Sequence, residues 1–522
     1  MNNNIIKLSI FFIISFLLLS PTIFILFKGF ISINLDHNLY VTRYIFGSTK
    51  ILFLVTIIVL LISVPLAWIN TMTNYWGRKI IQVMCIFPLG VPAYISAYCY
   101  AEILEPGGYL SFIFPQYDGF SLRNSFSAAL VLSFSLFPYV YLLTRIAIIN
   151  FSVRYLEAAK TMGKTPFECF YKVSLPMALP GIAAGLALVL METVNDFGVA
   201  DFFGLQTLTI GVFQYISIIN DLPSAFSLSL IIIILMSSLY FFEQKVKGNK
   251  RFHNSSYENI QWSRYNLGKI KTAVVLMIGS IPILFGFLVP LIFSIYLFLT
   301  HINVIDFSNY LSSLFNSSLV GALAGCICIL VSIFINFISR FSEKRRFFIY
   351  KKIINLGYAL PGVVIALGVL ILLSLFNNFS PFSLAATLFG LILALVIRLI
   401  ALSNNSIDSG LDKIGKSIDD ASRLIGRRPS TTYFRIIVPQ IKISILAGYL
   451  IVFVDTFKEL PITLLLRPFN FDTLATSLYE YSSNEMFEHG SLHAVTIIIF
   501  LSIVIYIFDS FIEEKMISKS KK

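Results

Sequence analysis

At 522 residues, with 57% of them hydrophobic, 13% charged and a mean hydropathy of +0.83, the chain is too apolar for a water-soluble globular protein. It reads as an all-α polytopic membrane protein. Nucleic-acid binding and membrane topology could each explain the net charge of +12, and the placement of the basic residues decides between them.

Apolar runs predict about twelve membrane helices, at 8–27, 50–70, 79–103, 126–149, 178–200, 223–242, 272–299, 316–339, 353–375, 383–404, 441–463 and 491–510. Six fall in each half. The first follows Lys7 as a secretory leader would. It is long for such a segment, however, and neither Ser20-Pro21-Thr22 nor Lys28-Gly29-Phe30 makes a good cleavage site, so an uncleaved anchor is expected.

With the N-terminus inside, only Lys28, Arg43, Lys50, Arg123, Lys458 and Arg467 of the 39 basic residues fall outside or near outer span ends; Arg398 to Lys442 count as an inner segment. Both termini are therefore expected in the cytoplasm. Topology accounts for the charge, which leaves lipid and no nucleic acid as the expected surroundings. The odd cysteine count, with Cys326-x-Cys328 lacking a second ligand pair, predicts apolar filler rather than zinc. The five histidines are scattered without a nucleophile or metal constellation, so no enzyme site and no cofactor are expected.

The chain repeats itself. Glu157 to Pro176 reads EAAKTMGKTPFECFYKVSLP and Asp420 to Pro439 reads DASRLIGRRPSTTYFRIIVP, an offset of 263. Earlier in each half, Phe46-Gly47-Ser48-Thr49 matches Phe315-Asn316-Ser317-Ser318, and Pro92 matches Pro361, at an offset of 269. The expected domains are 1–244 (core about 48–242) and 272–522 (core about 315–510), joined by a polar, basic linker at 245–271. Two halves of like orientation are expected to pack as a pseudo-dimer with a pathway between them.

Each duplicated segment follows the fourth span of its half, in a basic cytoplasmic stretch. It resembles the EAA loop of permease subunits in ATP-driven, binding-protein-dependent importers, where a short helix docks into an ATPase subunit. The resemblance implies coupling roles for Glu157, Ala158, Ala159, Gly163 and Pro176, and for Asp420, Ala421, Ser422, Gly426 and Pro439. Small residues would allow close approach, and each proline would begin the next span, where a missing amide costs least. Gly410 to Ser417 matches the phosphate-loop pattern but follows a membrane span instead of a buried strand, and its counterpart at 147–154 has no glycine. The chain is therefore expected to have no ATPase site of its own.

Charges near span ends are costly and draw attention. Glu192 and Asp196 match Asp455 and Glu459 at the same offset, which predicts two carboxylates on one helical face in each half. They either line a path for a cation or neutralise Lys458 and Arg467. The strings Glu192-Thr193-Val194-Asn195-Asp196-Phe197-Gly198 and Lys458-Glu459-Leu460-Pro461-Ile462-Thr463-Leu464-Leu465-Leu466-Arg467-Pro468 closely resemble those of permeases in the ferric iron uptake family.

That resemblance covers nearly the whole chain. It implies a type I ABC importer (MetI-like) permease fold in a bacterial inner membrane, with two cytoplasmic ATP-binding subunits and a periplasmic substrate-binding protein as partners. Thiamine and aminoalkylphosphonate importers share the fused layout, so another small solute stays open. An ion-gradient-driven secondary transporter fits the span count but not the twin loops.

Overall fold

A computed structural model describes residues 2–32, 38–114, 116, 118–149, 153–247, 264–341, 345–377, 384, 386–415 and 417–520. Among these, nine helices are long and apolar enough to cross a membrane, or up to twelve if three sharply bent helix pairs each count as one span. All twelve predicted positions are matched. The bent pairs are Arg78–Gly90 with Ala93–Ile113 (92°), Tyr350–Ala359 with Gly362–Leu375 (114°) and Pro429–Gln440 with Lys442–Phe457 (73°). In the first two the break falls at the repeated Pro92 and Pro361. Proline has no amide to continue the ladder and clashes with the preceding turn, which breaks the span there.

Contacts gather the chain into two compact units: Met1–His37, Gly211–Ser237 and Asp306–Tyr479 in one, and Asn38–Ile210, Ser238–Ile305 and Glu480–Lys522 in the other. Each unit thus contains the second to fifth spans of one sequence half and draws its first and last spans largely from the other half. The units differ from the halves at 1–244 and 272–522, which are units of repetition. The linker expected at 245–271 lies mostly outside the described residues.

In the unit built on the second half, the long helix Phe307–Phe341 packs on Leu388–Leu411 and Lys442–Phe457. Gly321 and Gly325, one turn apart, receive the rings of Phe453 and Tyr449, which a Cβ would meet at 3.0 and 2.9 Å. Small residues matter here because lipid is as apolar as a leucine side chain, leaving close packing to hold spans together. The N-terminal helix Asn2–Ile31 lies on Gly362–Asn377, with Gly368 making room for Pro21 and Ile25.

In the other unit, Gly181 and Gly185 of the helix Leu175–Asn195 press against the backbone of Leu143 and Val140 on Ser125–Ala147. The exchanged helices Lys269–Thr300 and Phe487–Ile507 complete this unit: Gly286 abuts the Phe134 carbonyl, and a Cβ on Gly90 would meet Ser502. The repeat is conserved in detail between the units. Ser48 Oγ accepts from Leu208 N at 2.8 Å, and Ser317 Oγ accepts from Leu474 N at 2.8 Å.

Candidate functional site

The duplicated segments fold into the same motif twice. In the first, helix Val153–Thr161 ends at Gly163, whose φ is +75°; Gly163 N donates to Lys160 O (2.9 Å) and Lys164 N to Ala159 O (3.1 Å). In the second, helix Ser417–Leu424 ends at Gly426, φ +74°; Gly426 N donates to Arg423 O (2.9 Å) and Arg427 N to Ser422 O (3.1 Å). Both are left-handed glycine caps that satisfy the last carbonyls of the helix. A Cβ at either glycine would meet nothing within 4 Å, so these glycines make the turn and are not squeezed by a neighbour within the chain.

The chain restarts at Pro166 and at Pro429. Thr165 and Glu168 form a capping box in the first copy, while Arg428 offers no side-chain cap in the second. A π-helical turn follows in each, Cys169–Ser174 and Tyr433–Ile437, immediately ahead of Pro176 and Pro439. This corrects the expected role of the prolines. Neither begins a free-standing span: each sits one or two residues into a helix continuous with a π turn, whose wider spacing accommodates the missing donor.

Of the small residues, Ala158 and Ala421 are exposed, whereas Ala159 and Ser422 are buried within their own units. The expected close approach to a partner therefore falls to Ala158 and Ala421, with the exposed Gly163 and Gly426 beside them. Glu157 is half-buried and Asp420 exposed. Beside each turn stand exposed large apolar side chains: Met162 (72% exposed) and Phe167 (76%) in the first copy, Leu424 (89%) and Ile425 (76%) in the second. Sequence reasoning passed over them, although Met162 and Ile425 are adjacent to the glycines and at matching positions. Arg340 was also missed: its Nε lies 2.9 Å from Asp419 Oδ2, and its guanidinium reaches the carbonyls of Leu411, Ile414 and Gly415. Those carbonyls converge on a cation, the opposite polarity to a phosphate cradle. Gly410 itself lies within the helix Leu388–Leu411.

The four carboxylates do not sit as expected on one face of a helix. Leu175–Asn195 ends before Asp196, and Lys442–Phe457 ends before Glu459. Asp196 Oδ2 accepts from Ala200 N at 3.2 Å, capping the short helix Gly198–Phe202, and Glu192 is half-buried one turn earlier.

The second copy is neutralised. Asp455 pairs with Lys458 at 2.8 Å, Arg467 pairs with Asp472, and Glu459 pairs with Arg398 while accepting from Ile462 N at 3.3 Å. Arg398 belongs to a span, not to the inner loop, and its charge is tolerable there because Glu459 meets it. A Cβ on Gly362 would come within 2.6 Å of both side chains, so only glycine leaves them room. At the matching position the first half has buried Ser135, and among the described residues Asp196 forms no ion pair. No group of three or more His, Cys, Asp or Glu side chains is placed to hold a metal among the described residues. Cys326 is exposed, whereas the other four cysteines are buried.

The chain is a helical membrane protein with one polar motif twice between its spans, and its family is that of transport permeases. It belongs to the family described as binding-protein-dependent transport system inner membrane component, which matches residues 60–248 and again 341–518. It is 21% identical over 452 residues to the Fe(3+)-transport system permease protein FbpB 2 of Haemophilus influenzae, covering 84% of each chain. It is 22% identical to the ferric transport system permease protein FbpB of Actinobacillus pleuropneumoniae, over 98% of this chain and 79% of the relative. The molybdenum transport system permease protein ModB of H. influenzae is 27% identical over 30% of this chain and 71% of its own length.

Proposed function

We propose that this chain is the fused permease subunit of an ATP-driven importer, moving ferric iron delivered by a periplasmic binding protein and powered by two separate ATP-binding subunits. The observation that carries this reading is the twin motif: helix, left-handed glycine, proline and π turn, twice, each presenting a small residue and exposed apolar tips. A short rigid helix with an apolar tip suits a cleft on another protein, through which closure of an ATPase is passed mechanically. Both termini and both motifs would then lie on the cytoplasmic side, consistent with the basic loops. The chain acts without an ATPase site or a resident cofactor.

Ferric iron as cargo is supported by the relatives named for it, which match both halves, and by the resemblance around Glu459 to Pro468. Ferric ion is a hard cation that prefers oxygen, and a path that attracts it without caging it lets it leave. Asp196, with Glu192 behind it, is the group left to supply that attraction. Asp455 and Glu459 are already matched by bases.

The test is uptake into proteoliposomes holding this chain and its ATPase, presented with ferric-loaded binding protein. Uptake of radioactive iron that needs internal ATP is expected. Uptake of thiamine or an aminoalkylphosphonate from its own binding protein, with none of iron, would overturn the cargo assignment.

A further inference from the structure

The residues Arg264 to Leu267, at the far end of the linker, pair with residues 71–74 and bring Tyr265 against the first duplicated segment. Strand β1 (Thr73–Asn74), directly after helix Asn38–Met72, pairs in parallel with β2 (Tyr265–Asn266). Leu267 N donates to Asn74 O at 3.1 Å, Asn74 Nδ2 to Asn266 Oδ1 at 3.2 Å, and Arg264 Nε to Thr71 O at 3.3 Å. Lys160 Nζ stands 4.2 Å over the Tyr265 ring, which packs against the buried cluster that includes Leu156, Ala159 and Cys169. Lys160 precedes the Gly163 turn and Cys169 follows it. One ring therefore meets the cation of the first arm and the core on which both arms pack.

The second copy holds its arms together with its own residues. Ser422 and Thr432, one from each arm, share a hydrogen bond of 2.5 Å, and Arg340 anchors Asp419. At the matching positions the first copy has Ala159, Cys169, Thr71 and Leu156, which can make neither the hydroxyl bridge nor the ion pair. Linker residues stand near both places: Arg264 binds the backbone of Thr71, the counterpart of Arg340, and Tyr265 meets Lys160 and packs on the core beside the arms that Ser422 and Thr432 tie in the second copy.

We propose that Tyr265, held beside the end of helix Asn38–Met72 by Arg264 and the short strand pairing, is a positioning residue for the first coupling segment, so that the fusion linker is part of the coupling machinery in one half and not only a tether. This rests on the reading of the duplicated segments as ATPase contacts. A cation over an aromatic ring is worth a modest amount, so its loss should loosen the motif without unfolding the spans.

The experiment uses the full chain with its ATPase and binding protein, comparing Tyr265→Leu, Tyr265→Phe and Lys160→Met. The readouts are iron imported per ATP hydrolysed and hydrogen exchange across residues 153–168. Tyr265→Leu and Lys160→Met should each lower the ratio about two- to fivefold and speed exchange around the Gly163 turn. Tyr265→Phe, which keeps the ring, should restore both, and the Lys160→Met, Tyr265→Leu double variant should be no worse than either single one. Where Tyr265→Leu fails to accumulate, Lys160→Met decides alone. An unchanged ratio and unchanged exchange overturn the proposal. If Ala158→Arg still abolishes ATPase binding in that case, the coupling reading survives; if Ala158→Arg is also silent, that reading falls with it.

Discussion

Removing the carboxylate at Glu459 leaves the Arg398 guanidinium, only 12% exposed, without its partner inside an apolar span. Breaking a buried pair from one side costs about 3–5 kcal/mol, because the remaining charge is stranded. Glu459→Gln should therefore lower the yield of folded protein, and adding Arg398→Gln should recover much of it. Asp196→Asn strands no base. It should keep the wild-type yield while slowing ferric uptake and leaving ATP hydrolysis stimulated by the binding protein. Yield on detergent extraction, ATPase stimulation and iron uptake in the same preparations separate these outcomes. Equal effects of Glu459→Gln and Asp196→Asn on all three would show that the two carboxylates share one role. The matched spacing of the carboxylates was legible in the sequence, but their inequivalence was not. It depends on Arg398, which lies 61 residues before Glu459 in the chain and looked like the edge of a loop.

At the scale of the element, the glycine-turn motif was readable because its backbone demands leave a residue signature. A left-handed cap selects glycine, and proline soon after it cannot continue a helix. The π turns were not readable, since no residue type marks them. Each lies immediately ahead of a proline, Pro176 or Pro439, with no break between the π turn and the helical residues that carry that proline. Nor could burial be seen: Ala158 and Ala159 are chemically the same, and only packing turns one outward. Replacing Gly163 or Gly426 with Leu forces a side chain into φ near +75°, at a cost of about 1–2 kcal/mol, and puts bulk on an open surface. Asn, which tolerates that conformation, keeps the turn. Gly426→Asn should thus retain more ATP-driven uptake than Gly426→Leu at equal membrane insertion. Identical uptake by the two would mean the turn geometry is irrelevant to coupling.

For the whole molecule, the apolar pattern revealed the number and order of spans, and the repeat revealed two halves. The exchange of the first and last spans was hidden, because hydropathy says which residues enter the bilayer and nothing about which neighbours they meet. It has a consequence for assembly. Neither half alone supplies all the spans of either compact unit, so residues 1–255 or 256–522 expressed separately should be degraded or aggregate. Expressed together, they should form an extractable complex. A stable first half on its own, shown by size-exclusion chromatography, would argue that the exchange contributes little to stability.

In the proposed mechanism the two duplicated segments pass work from ATP hydrolysis into transport. Its most direct test is iron uptake by reconstituted transporter with the proton gradient collapsed, comparing the unaltered chain with an Ala158→Arg, Ala421→Arg variant. Both alanines are exposed, so the substitutions leave the spans intact while blocking a close-fitting partner. Full ATP-driven uptake is expected of the unaltered chain, and loss of both uptake and ATPase co-purification of a variant that still inserts normally. Undiminished uptake by the variant, or gradient-driven uptake by the chain without any ATPase, would contradict it.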